Sequence, residues 1–432
     1  MEYNPTTPSL TMQRLMRKRK YIPRKPHRKT LALYFSASYH PDMCIPPQPK
    51  NQDLFIIGVM SGTSCDGIDI AIMNTQNMNM AYFTTSPFPE QLREPVIRLA
   101  QPSFDEVDIL GHLDRALGDA FSEAILHALD ASGIPQKQIL AIAHHGQTIR
   151  HRPNGQHAFS MQIGCAATLA ERTGITIISD FRSRDIAAGG QGAPLVPFAH
   201  ARLFPPHQHD VVIINIGGIA NITALSRDGL VEGFDTGPGN MLMDALMLAL
   251  SDGRHAYDED GELAKIGSIC PELLQSLLKH PFFHQALPKS TGREEFGEHM
   301  LASIMAWDGI SDADRMATCC ALTVESIAMS IETLNIKPQQ CFICGGGALN
   351  PYLMQTLAER LSPMQVQSTQ ACGIDPEAVE ALSFAILGLY TLRGEPNTLA
   401  SVTGAKHHSC GGSIAPSKNW SDVVQWMQQS IP

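Results

Sequence analysis

The stretch Phe55–Met73, FIIGVMSGTSCDGIDIAIM, constrains the fold of this chain more than any other. The apolar run Phe55–Met60 stops at Ser61-Gly62-Thr63-Ser64, and a second, alternating run, Ile68–Met73, leaves after Asp66-Gly67. Two β-rich runs joined by a Gly-containing turn predict a hairpin. A plain hairpin needs two turn residues of the Asn-Gly kind, whereas this turn spends seven positions on hydroxyls, glycines and acids. Gly62 and Gly67 allow close backbone approach, successive N–H groups make an anion-binding concavity, and Ser61, Thr63 and Ser64 add neutral donors. Asp66 would repel a bare phosphate, so a phosphate here calls for Mg²⁺ between them, directly or through water. The composition suits a nucleoside triphosphate. Ser/Gly turns without a ligand are also common, so the rest of the chain has to decide.

With 432 residues the chain exceeds one ordinary core, and two domains are expected. The net charge of −10 is unevenly spread: residues 1–50 hold ten Lys/Arg against Glu2 and Asp42, which leaves an acidic body. That body argues against a nucleic-acid or anionic-membrane surface. Ten cysteines at irregular spacing indicate reduced thiols and a cytoplasmic location rather than a disulfide framework. No apolar run reaches the length of a membrane span. Residues 1–50 read as a basic, disordered extension or a start placed too early, with RNA or membrane binding by this tail as the alternative. Beyond it, a strand is expected near Met80–Thr85, a helix over Asp105–Gly133 capped by Ser103 or Asp105, a strand at Ile139–Ala143, a helix over Met161–Thr173 and a strand at Ile175–Ser179. Val211–Ile216, Gly217-Gly218 and Ile219–Ile222 then repeat strand, Gly turn, strand about 155 residues after the first hairpin, where a duplicated domain would restart. Helices are further expected over Ala317–Leu334, Tyr352–Arg360 and Asp375–Leu392, and a strand at Cys341–Cys344.

Polar, small-residue turns at strand ends are where open α/β sheets bind ligands. A P-loop is excluded because no GxxxxGK[ST] occurs, and no GxGxxG follows the first strand. Cys341-x-x-Cys344 lacks a second pair and alternates along a strand, which favours burial over metal binding. His144 and His145 follow a strand directly: one, with Gln147, can bind sugar hydroxyls, or both can be structural. Arg182 and Asp185 can pair with each other, or Arg182 can take a substrate carboxylate in its planar fork. Asp235 stands before Thr236-Gly237-Pro238-Gly239-Asn240, where a carboxylate serves as a general base near a phosphate or as a helix cap.

Taken in order, SGTSCDGID resembles the first phosphate loop of the sugar kinase–actin–chaperone superfamily, NIGGIAN its second phosphate loop, and CGGGALN its adenosine loop. GVMSGTSCDGID, AHHGQT, DFRSRDIAAGGQGAPLVP, NIGGIANIT, GFDTGPGN, CGGGALN and DPEAVEALSFAILG together resemble the anhydro-N-acetylmuramic acid kinase family over about residues 55–392. Cys65 departs from the leucine-like residue usual there, and residues 1–50 have no counterpart. The resemblance implies an α/β fold of two similar actin-like, ribonuclease-H-like lobes with a nucleotide cleft between them, residues 51–205 plus 376–432 forming one lobe and 206–375 the other. It implies ATP and Mg²⁺ as cofactors, an anhydro amino sugar as substrate, no nucleic-acid or membrane partner, and a homodimer as an admissible assembly. Gly62, Thr63, Ser64, Cys65, Asp66, Gly67, Ile68 and Asp69 would cradle phosphate, with Asp66 toward the metal. Gly217, Gly218 and Asn221 would close on it, and Gly345, Gly346 and Gly347 would hold adenosine. His145, Gln147, Arg182, Asp185 and Glu380 would line the sugar site, and Asp235 would be the base by motif match, with Asp185 second. Two rival readings remain at this point: a kinase for another sugar or acid with a free hydroxyl, and a non-enzymatic nucleotide switch, which the lack of a peptide-binding segment after the second lobe disfavours.

Overall fold

The Phe55–Met73 stretch forms the hairpin that its pattern predicts. Strand β1 (Phe55–Met60) pairs antiparallel with β2 (Gly67–Asn74), with Met60 opposite Asp69. The molecule is described here from a computed structural model that covers residues 53–100, 106–204, 209–287, 289–292 and 295–430. The basic segment 1–50 and the capping candidates Ser103 and Asp105 lie outside the described residues.

Two sheets follow one plan. The first adds β3 (Met80–Pro87), β4 (Ile139–His144) and β7 (Ile177–Ser179) to the hairpin. Between β4 and β7 lies a separate two-stranded ribbon, β5 (Gln147–Arg152) with β6 (Phe159–Ile163). The second sheet contains β8 (Val211–Ile216), β9 (Ile219–Leu225), β10 (Val231–Pro238), β11 (Gln340–Cys344) and β12 (Gln365–Ser368). The spatial orders are β3-β2-β1-β4-β7 and β10-β9-β8-β11-β12, and a last strand, β13 (Ser413–Ala415), extends the first sheet beyond β7. In each sheet the first three strands are antiparallel and the next two run parallel to the first. The echo between the two Gly turns is therefore a repeat of the whole sheet. β1, β4, β8 and β11 all point their carboxyl ends, with their polar turns, toward ligand positions of an open α/β sheet.

The helix Val379–Arg393 is apolar on nearly every side because it is buried nearly all round. It lies across β1, β2 and β4. Its approach is closer than ordinary side chains permit. A Cβ at Gly58 would fall on the Ala381 carbonyl oxygen, and one at Gly388 would lie 2.5 Å from the Ala143 Cβ. Ala381 and Ala385 on the helix complete this small-residue seam, and the larger Phe384, Leu387 and Leu389 fill the flanks.

Several expected boundaries move. Met161–Thr173 is not one helix: Phe159–Ile163 pairs with β5, Gly164 turns the chain with φ +123°, and the helix spans only Ala166–Thr173. Cross-strand partners on the ribbon outweigh the helical spacing there. The return helix starts at Val379 rather than Asp375, because the Asp375 carboxylate accepts the Glu377 N–H at 2.9 Å and holds a turn instead. The helix expected over Ala317–Leu334 begins earlier, at Asp312, where Ser311 and Asp314 form a capping box. Cys341 and Cys344 are buried on opposite faces of β11, one among the second-sheet helices and the other beside Phe204 and Ile213. Burial pushes both thiols up, which makes them packing residues. Among the described residues no disulfide forms, and no helix is long and apolar enough to cross a membrane.

The seam gives a stability prediction. Gly58→Ala forces the return helix off β1 and should cost about 1–3 kcal/mol or more. Gly111→Ala, inside the helix Glu106–Ser132 with nothing near its Cβ position, should instead stabilise by about 0.5–1 kcal/mol. Urea unfolding of the two variants measures both; equal, small shifts would show that the seam is not close-packed.

Candidate active site

The first turn is held from behind. Ser61 Oγ shares its one proton between Gly67 O at 3.1 Å and Gln147 Oε1 at 2.9 Å, and Gln147 Nε2 donates to Gly62 O at 3.1 Å. Gln147 is buried, so its amide braces the turn; a place among sugar hydroxyls is not where the structure puts it. Cys65 takes the left-handed region, φ 51°, with its side chain in the core under the turn. Gly62 faces open space, its nearest neighbour 3.5 Å from a Cβ position. On the acidic side, Thr85 Oγ1 donates to Asp69 Oδ1 at 2.7 Å across the β2–β3 pair. Burial pushes the Asp69 pKa up to about 7, against the Thr85 bond and with help from Glu380, Asp66 and Glu377.

The second turn is braced in the same way. Gly239 N–H donates to Gly218 O and Asn240 N–H to Gly217 O, both at 2.8 Å, so GPGN folds back onto the Gly217-Gly218 turn. Cβ positions at Gly217, Gly218 and Gly346 meet nothing within 3.6 Å. Gly345 and Gly347 differ: they abut Asn215 and Ile216, so they permit the strand ends to approach, and Gly346 alone faces open space. Gly345 N–H donates to Pro376 O at 2.9 Å, which ties this loop to the segment entering the return helix.

Register places the polar groups. Asn215 lies opposite Asn221, and Asn221 opposite Asp235, so one row crosses β8, β9 and β10. Side chains directly opposite share a face of the sheet. Asp235 is not a helix cap, since the helix begins at Met241 and Asn240 precedes it. Thr291 N–H donates to Asp235 Oδ2 at 2.9 Å, which leaves Oδ1 for a water or ligand. Burial raises the Asp235 pKa to about 6, opposed by the Thr291 N–H and the charges of Arg182 and Lys289. At neutral pH it is an ionised carboxylate whose proton affinity suits a base. Glu380, from the return helix, accepts from Asn215, and its pKa is raised by burial against that bond and the Arg182 charge.

Arg182 connects these groups. Its Nη1 donates to Gly192 O at 2.7 Å and its Nη2 to His145 Nε2 at 2.9 Å. Burial lowers its pKa to about 10, while Glu380 and Asp235 hold it up. His145 stays neutral, its pKa well below the ordinary value through burial and the Arg182 charge. An arginine only donates, so His145 Nε2 accepts and the ring proton sits on Nδ1. The Arg182–Asp185 pair does not form. Asp185 is fully buried and spends its carboxylate on Gly192 N–H at 2.8 Å and Thr403 Oγ1 at 2.7 Å, which fixes the Gly-rich loop. His144 is structural, neutral through burial and edge-on to Phe121 at 4.6 Å.

Two residues acting on Asp235 carry buried polar atoms without partners, Arg182 Nε and Thr291 Oγ1, and so do Asn215 (Oδ1), in the same row across the sheet, and His151 (Nε2), in the field of Arg182. Such atoms are rare in folded proteins and mark a place a ligand completes. Sequence reasoning missed His151, Asn215, Lys289 and Thr291. Asn215 was findable, being opposite Asn221 in a hairpin. Lys289 and Thr291 reach Asp235 from a loop with no pattern of its own.

The family model described as anhydro-N-acetylmuramic acid kinase matches residues 54–417. A protein of that name from Shewanella amazonensis is 44% identical over 370 residues, covering 85% of this chain and 99% of the relative. Another from Xanthomonas axonopodis pv. citri is 42% identical, covering 83% and 97%, and one from Vibrio vulnificus is 40% identical, covering 83% and 98%.

Asp235→Asn keeps shape and the Thr291 bond but removes the base. It should lower kcat by about 10² to 10⁴ with ATP and sugar binding retained, since a base acts mainly in the transition state. In the unsubstituted protein kcat/KM should rise with pH through about 6 as Asp235 ionises. Steady-state kinetics over pH 4.5–8, roughly spanning that transition, tests both; an Asn variant with near-normal kcat removes Asp235 from the role.

Proposed function

This chain belongs to the anhydro-N-acetylmuramic acid kinase family, and on that premise we propose how its cleft carries out the reaction. The protein is an ATP-dependent kinase that opens 1,6-anhydro-N-acetylmuramic acid hydrolytically and phosphorylates O6, giving N-acetylmuramic acid 6-phosphate and ADP in peptidoglycan recycling. The substrate's O6 closes a bridge to C1 and has no hydrogen to lose. The base therefore serves water, not the acceptor oxygen. Water attacks C1, the C1–O6 bond breaks through an oxocarbenium-like state, and O6 bonds to the γ-phosphorus as the bond to the β-phosphate oxygen breaks. The water's proton goes to Asp235 Oδ1.

The observation that carries this reading is Asp235 itself: a carboxylate within β10, next to the register shift, held by the Thr291 N–H and facing the charges of Arg182 and Lys289. The two braced turns would take the phosphates, with Gly62, Gly217 and Gly218 leaving room for them and Gly346 leaving room for adenosine. Glu380 would accept from a sugar hydroxyl, and Arg182 Nε would meet the acid group of the substrate. Mg²⁺ suits the acidic side of the first turn. It keeps several waters and takes one or two carboxylates beside phosphate oxygens, so it does not require the three-ligand cluster that is missing among the described residues. Asp66, crowded by Asp69 and Glu377, would hold it, and when bound it would spread phosphate charge.

ATP turnover should depend on the anhydro sugar, and the product should carry phosphate on O6 and a free reducing C1. Equal turnover with N-acetylmuramic acid, whose O6 is a free hydroxyl, would assign the cleft to an ordinary sugar kinase.

A further inference from the structure

The β5–β6 ribbon has no counterpart in the second sheet, where the fourth strand leads through Gly345–Asn350 to the helix Pro351–Leu361. Arg150 fixes the ribbon to the helical layer, with Nη1 donating to Leu99 O at 2.6 Å and Nη2 to Glu106 at 3.1 Å. A register shift between Thr148 and Arg150 inserts Ile149 as an extra residue. The shift turns Thr148 and His151 to the same face, opposite Gln162 and Ser160. The four form one chain: Gln162 Nε2 donates to Thr148 Oγ1 at 3.1 Å and to Ser160 Oγ at 2.8 Å, and Ser160 Oγ bonds His151 Nδ1 at 3.0 Å. Since Ser160 Oγ accepts from Gln162, its own proton is available for His151 Nδ1, and the neutral ring then carries its hydrogen on Nε2.

That Nε2 is buried and has no partner. It stands in the field of Arg182, whose charge, after burial, depresses the imidazole. Arg182 spends one N–H of each Nη on Gly192 O and His145, and its Nε–H has no partner. The Nε–H of Arg182 and the Nε2–H of His151 are two buried donors without partners, matching an acceptor with two oxygens.

We infer that His151 is a specificity-determining residue: with Arg182 Nε it binds the carboxylate of the sugar acid, and the Ser160–Gln162–Thr148 chain holds it in the donor tautomer. This rests on the reading of the cleft as the anhydro-sugar kinase site. The ribbon is then the element that makes the first lobe a receptor for an acidic sugar, where the second lobe lacks it.

The test compares 1,6-anhydro-N-acetylmuramic acid with 1,6-anhydro-N-acetylglucosamine, which lacks the acid-bearing ether. His151→Leu should raise KM for the acid about 10- to 100-fold, the loss expected for a hydrogen bond to a charged group. kcat should change by no more than about threefold, and KM for the neutral sugar should be unaffected. His151→Gln, which restores a side-chain N–H, should recover most of the loss. Ser160→Ala, which frees the tautomer and leaves the ring in place, should raise KM for the acid severalfold and serves if His151→Leu does not fold. Equal effects on both sugars, or none on either, would overturn the inference. If the unsubstituted protein turned over neither sugar, the reading of the cleft itself would fail.

Discussion

The site depends on a cation inside the protein. Arg182 is half-buried, with its Nε out of solvent, and withdrawing a charge from water costs more than hydrogen bonds return unless opposite charges lie close. Here they come from different parts of the chain: Asp235 from β10 of the second sheet and Glu380 from the return helix on the first. The guanidinium thus lies in the field of carboxylates from both sheets and adjusts the groups around it. After the Thr291 N–H it helps hold Asp235 to about 6 against burial, and it adds to the burial that keeps His145 neutral. A carboxylate in the same burial without Arg182 and Lys289 would hold its proton more tightly and be a poorer acceptor at neutral pH.

Two copies of one sheet supply two turns of similar make, and each is braced differently. In the first, a buried glutamine from the ribbon holds Ser61 and Gly62; in the second, the backbone of GPGN folds onto Gly217 and Gly218. Phosphate turns need backbone N–H groups already in place, because a loop that ordered only on binding would lose affinity to entropy. What breaks the symmetry is the ribbon after β4, and it carries the imidazole of His151, bonded at Nδ1 and without a partner at Nε2. The seam of Gly58, Ala381, Ala385 and Gly388 brings the return helix close enough to present Glu380 at the end of β8 beside Asn215.

Much of this was legible in the sequence. Strand–Gly turn–strand units have strong local signals, and so the two hairpins, the repeat and the place of Asp235 were readable from residues 55–73 and 211–240. The ribbon was not, because Phe159–Ile163 is short, leaves its apolar Phe159 and Met161 exposed, and finds its strand partner only through Gln147–Arg152. The partners of Arg182 and Asp185 were not readable either. Two opposite charges three residues apart look like an ion pair, but Asp185 is claimed by Gly192 and Thr403, the latter 218 residues away. Tertiary contacts, not local pattern, decide where a buried charge finds its partner. Gln147 illustrates the same limit: its type suits a sugar hydroxyl, and its position gives it a backbone to brace.

The central claim is that water, deprotonated by Asp235, attacks C1 while O6 leaves toward the γ-phosphate. Turnover in ¹⁸O-labelled water separates this from every route in which a sugar hydroxyl is the nucleophile. The account predicts one ¹⁸O at C1 of the sugar phosphate and none in the transferred phosphoryl group or in ADP, with the product read by mass spectrometry before the anomeric oxygen exchanges with solvent. Label in the phosphoryl group, or a product whose C1 oxygen is unlabelled, would contradict it.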